Sequence, residues 1–147
     1  MLFKLMPEQV AHYWPALRDK IEEALPPICN GHIDRMENLL KSVLQGNLEL
    51  WIVCETREGQ TELYAVMLTT NIEDAVSGTK SLLIYALAAL KKIPEDIWVS
   101  GIEALVKVAK HKGCDKILAY TCIPAIAQMA ERRLGADASW TMLTFGV

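Results

Sequence analysis

Apolar and polar positions change their spacing several times along this chain, and each change marks an element. The stretch from Ser81 to Val147 is the clearest and reads strand, helix, strand, helix, strand. Ser81–Leu90 is a nearly unbroken apolar run, the pattern of a central strand buried on both faces. Pro94 stands at the first position of the helix that follows, with Glu95 and Asp96 in its first turn. Lys110, His111 and Lys112 fill the last turn and Gly113 terminates it, so charge complements the helix dipole at both ends. Its inward stripe is Ile97, Gly101, Ile102, Leu105, Val108 and Ala109. Lys116–Thr121 is the next strand, and the long helix before it requires a parallel pairing with Ser81–Leu90 through a right-handed crossover. Pro124 opens a final helix, Gly135 closes it, and Trp140–Phe145 is expected to form the last strand.

Upstream, Leu2–Leu5 suits a short edge strand. Pro7, Glu8 and Gln9 then start a helix that Pro15 either kinks or divides before Leu25 and Pro26-Pro27 stop it. Asn30-Gly31 marks a turn, after which Ile33, Met36, Leu39, Leu40, Val43 and Leu44 recur at helical spacing until Gly46. Leu48–Thr56 and Thr61–Ile72 favour antiparallel strands joined through Arg57–Gln60, and Ser77-Gly78 turns the chain into Ser81. The expected fold class is α/β with a mixed sheet, an antiparallel meander followed by a parallel β-α-β crossover. A chain of 147 residues has the size of one domain with one core, here spanning residues 1–147.

The formal net charge of −3 and the lack of any long Lys/Arg block exclude the electrostatic footprint of a nucleic-acid binder. The longest apolar run is about half of what a membrane-spanning helix needs, and Lys4 is no charged leader, so a cytoplasmic protein without membrane contact is expected. Cys29, Cys54, Cys114 and Cys122 show no C-x-x-C spacing and read as small buried hydrophobes. His12, His32 and His111 lie far apart without an i, i+4 partner; they read as surface or helix-end residues, and no metal is expected.

Glu103-Ala104-Leu105, Ala109, Gly113-Cys114, Ile117 and Thr121 carry a long helix into its next strand. Pro124-Ala125 and Leu134-Gly135 frame the helix after it. With the element order, these residues resemble the GNAT superfamily of N-acetyltransferases, across the whole chain in topology and across Trp98–Gly135 in residues. The final helix is one residue longer here. The resemblance implies an acyl-CoA N-acyltransferase fold, with acetyl-CoA held by its pyrophosphate on a Q/R-x-x-G-x-G/A turn at the start of the long helix. Such a turn needs free amide donors, the positive end of a helix dipole and an unobstructed backbone. Alignment through Gly113-Cys114 puts Ile93, Asp96 and Trp98 at the motif positions, and all three depart from it. Pro94 lacks an amide donor, Glu95 and Asp96 compete with a bound anion, and the Trp98 indole adds bulk. Lys91 and Lys92 are the nearest substitutes for a phosphate contact, although solvated lysines are the ordinary reading. The family's general-acid tyrosine falls on Glu131, beside Arg132 and Arg133, where a carboxyl group would need strong desolvation to keep its proton. Ile123 stands where the family has asparagine. Tyr85 and Tyr120, on adjacent parallel strands, are further candidates for a cleft.

Two functional expectations follow. The first is a GNAT-fold protein with a degenerate acetyl-CoA site and no cofactor, working as an interaction or structural component with a protein partner or small molecule. Small GNAT-like proteins of this kind occur among phage and prophage genes, and the Tyr13-Trp14-Pro15 region resembles them. A virion-associated location then stands beside the cytoplasmic one, and exposed apolar edges admit a homodimer. The second is a working N-acetyltransferase that grips acetyl-CoA atypically, with Glu131, Tyr85 or Tyr120 assisting proton transfer. The gap between Ser81–Leu90 and Lys116–Thr121 separates them: a splayed gap accepts a pantetheine arm, and a gap filled by Trp98 does not.

Overall fold

Side chains along a strand alternate between two faces, and both faces of the sheet in this protein are covered by helices. The computed structural model describes residues Met1–Val147. Its strands are β1 (Leu2–Lys4), β2 (Glu49–Arg57), β3 (Gln60–Glu73), β4 (Lys80–Ala89) and β5 (Lys116–Ala119), and its helices are α1 (Pro7–Glu23), α2 (Arg35–Leu44), α3 (Glu95–His111) and α4 (Pro124–Leu134). A short 3₁₀ turn, Pro27–Cys29, links α1 to α2. The five strands form one sheet in the order β1-β2-β3-β4-β5, antiparallel except for the parallel pair β4-β5. Glu58 and Gly59, the two residues between β2 and β3, both have positive φ, at 51° and 77°. That is the backbone a type I′ hairpin requires, and it matches the right-handed twist of the strands.

One face buries Val10, Leu17 and Ile21 of α1 and Met36, Leu39 and Val43 of α2 against Leu50, Ile52, Val66, Leu68, Ala86 and Ala88. The opposite face buries Leu105 and Ala109 of α3 against Trp51, Met67, Leu82 and Ile84. The α3 stripe read from the sequence is the one that faces inward, with Ile102 and Val108 packed at its margins. Within this layer the Trp51 indole donates to the Thr69 hydroxyl at 2.9 Å, so neither buried polar group is left without a partner.

Four expectations need correction. Trp140–Phe145 forms no strand; the sheet ends at β5, and residues after α4 find no ladder partner despite their β propensity. Pro15 does not divide α1, which runs as one helix from Pro7 to Glu23 with Pro15 on its exposed side. Pro94 caps α3 from an extended backbone rather than occupying its first turn. Of the cysteines only Cys54 is buried, whereas Cys29 and Cys114 are half-buried and Cys122 is exposed.

Gly101 lies within α3, and a Cβ placed there meets nothing within 4 Å. Gly101→Ala is therefore expected to stabilise the protein by about 0.5–1 kcal/mol, since glycine in a helix interior loses extra backbone entropy on folding. Calorimetry should show a Tm rise of about 2–4 °C.

Candidate active site at the opening between β4 and β5

The β4-β5 ladder is short. It pairs Ser81 with Lys116, Leu82 with Ile117, Leu83 with Leu118 and Ile84 with Ala119, and its last bond runs from the Tyr120 N–H to the Ile84 carbonyl at 3.2 Å. β4 continues to Ala89 with β3 on one side and no strand on the other. The strands therefore part where β4 still has half its length to run.

A bulge lies at the same place. Thr69 pairs with Ile84 and Leu68 with Ala86, which leaves Tyr85 as an extra residue on β4. The bulge exchanges the faces of β4: Leu82 and Ile84 pack towards α3, whereas Ala86 and Ala88 pack towards α1 and α2. It also resets which backbone groups point outward. The Leu90 N–H bonds to the Tyr64 carbonyl at 2.8 Å, so by the two-residue repeat Ala88 and Ala86 direct their N–H and C=O groups to β3. Those of Leu87 and Ala89 face the opening, where no strand receives them.

Two candidate tyrosines meet at this point. The Tyr85 and Tyr120 rings pack edge to face, 6.1 Å between centroids and 67° between planes. The Tyr85 hydroxyl also lies 2.6 Å from the Cys29 sulfur, on the 3₁₀ turn between α1 and α2. Burial first, and then the hydrogen bond with Cys29, raise the Tyr85 phenol well above its ordinary pKa. It is a proton-bearing group throughout the neutral range. Cys29 escaped the sequence reading because it stands 56 residues from Tyr85 and carries no motif.

The start of α3 is arranged differently from its sequence reading. The Pro94 carbonyl accepts from the Ile97 and Trp98 N–H groups, each at 3.1 Å, while the Glu95 and Asp96 N–H groups have no acceptor. Glu95 does not face the helix end alone, because Arg132 and Arg133 of α4 reach its Oε1 at 3.0 and 2.7 Å. Asp96 is exposed without an ion-pair partner. Lys91 binds Glu62 at 2.7 Å and lies 4.2 Å from the centre of the Tyr64 ring, which ties it to β3, and its hydrogen bond holds the Glu62 carboxyl below the usual range. Lys92 is exposed and unpaired. Glu131 is likewise exposed on α4 and makes no ion pair.

Trp98 and Ile93 line an apolar groove with Ile97, Gly101, Ile102 and Leu105 on one side and Leu2, Val53, Ala65, Met67 and Leu87 on the other. No residue of β5 or α4 borders it. The space in it that admits water is about 20 Å³, room for a single molecule. The indole thus borders a groove between α3 and strands β1 to β4. No three His, Cys, Asp or Glu side chains converge as a metal-binding group.

No family model and no curated protein matches the sequence. Solved structures do match over its full length. A ribosomal-protein-alanine N-acetyltransferase from Brucella melitensis biovar Abortus 2308 superposes with a TM-score of 0.66 at 15% identity, covering 100% of this chain and 99% of that one. The aminoglycoside N-acetyltransferase AAC(6')-Iy bound to a CoA bisubstrate analogue gives 0.68 at 17% identity, over 100% and 97%. A transcriptional regulator from Bacillus halodurans C-125 gives 0.68 at 14% identity, over 100% and 99%. At these identities the likeness is one of architecture: with its mixed five-stranded sheet and parallel β4-β5 pair, this chain has the GNAT acyl-CoA N-acyltransferase fold.

Proposed function

We propose that the opening between β4 and β5 receives the pantetheine and thioester end of an acyl-CoA, and that the protein transfers the acetyl group to an amine. The carrying observation is the coincidence of three features at one level of the sheet: the Tyr85 bulge, the end of the β4-β5 ladder, and the outward-facing N–H and C=O groups of Leu87 and Ala89. A pantetheine arm carries two amides, which match an unpaired strand edge as another strand would. The bound donor supplies an activated acyl carbonyl. Tyr85 and Tyr120 supply hydroxyls beside the opening as hydrogen-bond donors to the acyl oxygen or the leaving thiolate. The pyrophosphate end is altered, since Asp96 stands exposed in the first turn of α3 and no glycine is present from Lys91 to Ser100.

A donor held mainly by its arm loses little when its nucleotide is removed. Acetyl-CoA and S-acetyl-pantetheine, each at millimolar concentration, are expected to raise the melting temperature, with dissociation constants within about tenfold of each other. A preference for acetyl-CoA of several hundredfold would overturn the altered grip. No shift with either compound would overturn donor binding altogether.

That last outcome would favour a second reading, a non-catalytic interaction protein with a degenerate site. Its supporting observations are the exposed Asp96 carboxylate at the α3 dipole end and the engagement of Lys91 by Glu62 rather than by open solvent.

A further inference from the structure

A thiol stands at the opening without belonging to the core. Cys54 is packed inside the larger core layer and Cys122 is exposed, but Cys29 is half-buried and joins neither layer. It closes the 3₁₀ turn Pro27–Cys29 between α1 and α2. Pro26 and Pro27 lead into that turn with fixed φ, and their carbonyls accept from the Cys29 and Asn30 N–H groups at 3.1 and 3.0 Å. The backbone therefore holds the sulfur in place, 2.6 Å from the Tyr85 hydroxyl. A structural cysteine packs among apolar side chains, whereas this one is turned to the hydroxyl of a site tyrosine.

The surroundings of this thiol point to the same ligand. Tyr85 is the bulge residue of β4, and the outward N–H and C=O groups of Leu87 and Ala89 begin two residues beyond it. An arm that pairs with those groups, its nucleotide end towards α3, brings its thioester to the level of Tyr85 and so to the sulfur. Tyr120 packs edge to face against Tyr85 and closes the other side. The Tyr85 phenol keeps its proton, so its O–H can serve the Cys29 sulfur in the free protein and the acyl oxygen once the thioester is bound.

We infer that Cys29 takes the acetyl group from the thioester before an amine receives it, as a covalent S-acetyl intermediate. This rests on the acyl-donor reading. Cys29 gives its thiol proton to solvent and its sulfur attacks the acyl carbon. The bond from that carbon to the pantetheine sulfur breaks, and the departing thiolate takes up a proton from solvent. One thioester replaces another, so the step needs no oxidant, reductant or further energy source. The amine then attacks the S-acetyl group, which forms the amide and restores the thiol. An intermediate held on the protein lets the spent donor leave before the amine arrives, so the two need not fit the opening together.

Mass spectrometry of the full chain, incubated without amine in millimolar S-acetyl-pantetheine and quenched in acid, tests it together with the melting temperature in the same solution. The expected result is a raised melting temperature and a single acetyl group on the Cys29 peptide, released by neutral hydroxylamine as a thioester is. The exposed Cys122 is the internal reference for uncatalysed exchange, and Cys29 should be acetylated at least about tenfold faster, as a positioned thiol should. Cys29→Ala, which touches neither core layer, should remove the label, and Cys122→Ser should leave it. A raised melting temperature with no acetyl group on Cys29, or with acetylation no faster than at Cys122, would overturn the intermediate and leave the donor reading standing. Neither a raised melting temperature nor an acetyl group would overturn both.

Discussion

Leu105→Ala is expected to lower the free energy of unfolding by about 3 kcal/mol, within the ~2–5 kcal/mol range of buried leucine truncations. Leu105 is 0% exposed and stands at the centre of the smaller core layer, among Trp51, Met67, Leu82, Ile84 and Ala109. That layer has few buried residues to share the loss. Leu105 also borders the groove beneath α3, which already holds unfilled space, so the neighbours have little with which to close a new cavity. Urea unfolding should show a lower midpoint at an unchanged slope, and the melting temperature should fall by about 6–12 °C. Val106→Ala, one residue on and 38% exposed, is the control and should stay within about 0.5 kcal/mol. Equal losses for the two would mean that α3 presents a different face to the sheet.

The contrast between these neighbours shows what was legible in the sequence. The α3 stripe is written in a 3.6-residue period, and that period alone turns Leu105 and Ala109 inward. The hairpin at Glu58-Gly59 and the central position of β4 were legible for the same reason, since local pattern dictates each. The candidate site was legible only as a list of residues. Tyr85 and Tyr120 were named, but their meeting depends on a bulge that arises from the pairing of β4 with β3, which no period within Lys80–Ala89 encodes. The competition expected from Glu95 at the α3 dipole was altered by Arg132 and Arg133, some 37 residues away, a separation over which sequence pattern carries no information. Trp140–Phe145 shows the converse limit. Its strand-like pattern is real, but a strand is completed by a neighbour, and the propensity of a segment does not specify one.

The opening between β4 and β5 can be tested by one substitution made at two adjacent positions. Ala89 pairs with Ala65 across β3 without exchanging ladder bonds, and its N–H faces the opening. Ala89→Pro therefore removes a donor from the opening while leaving the β3-β4 ladder intact, and stability should change by less than about 1 kcal/mol. Affinity for acetyl-CoA and for S-acetyl-pantetheine should fall by about 10- to 100-fold, the range for a buried hydrogen bond to an amide left unmade. Ala88 pairs with Val66 and turns its N–H to β3, so Ala88→Pro should cost about 3 kcal/mol or more of stability by breaking a ladder bond inside the sheet. Isothermal titration and chemical unfolding on both variants separate the two effects. Retention of donor binding by Ala89→Pro would remove the Ala89 amide from the site. A stability loss at position 89 equal to that at 88 would mean that the bulge at Tyr85 does not set the phase of β4. Sequence and chemistry meet in that phase: one extra residue in a strand decides whether an amide holds the sheet together or is free to hold a ligand.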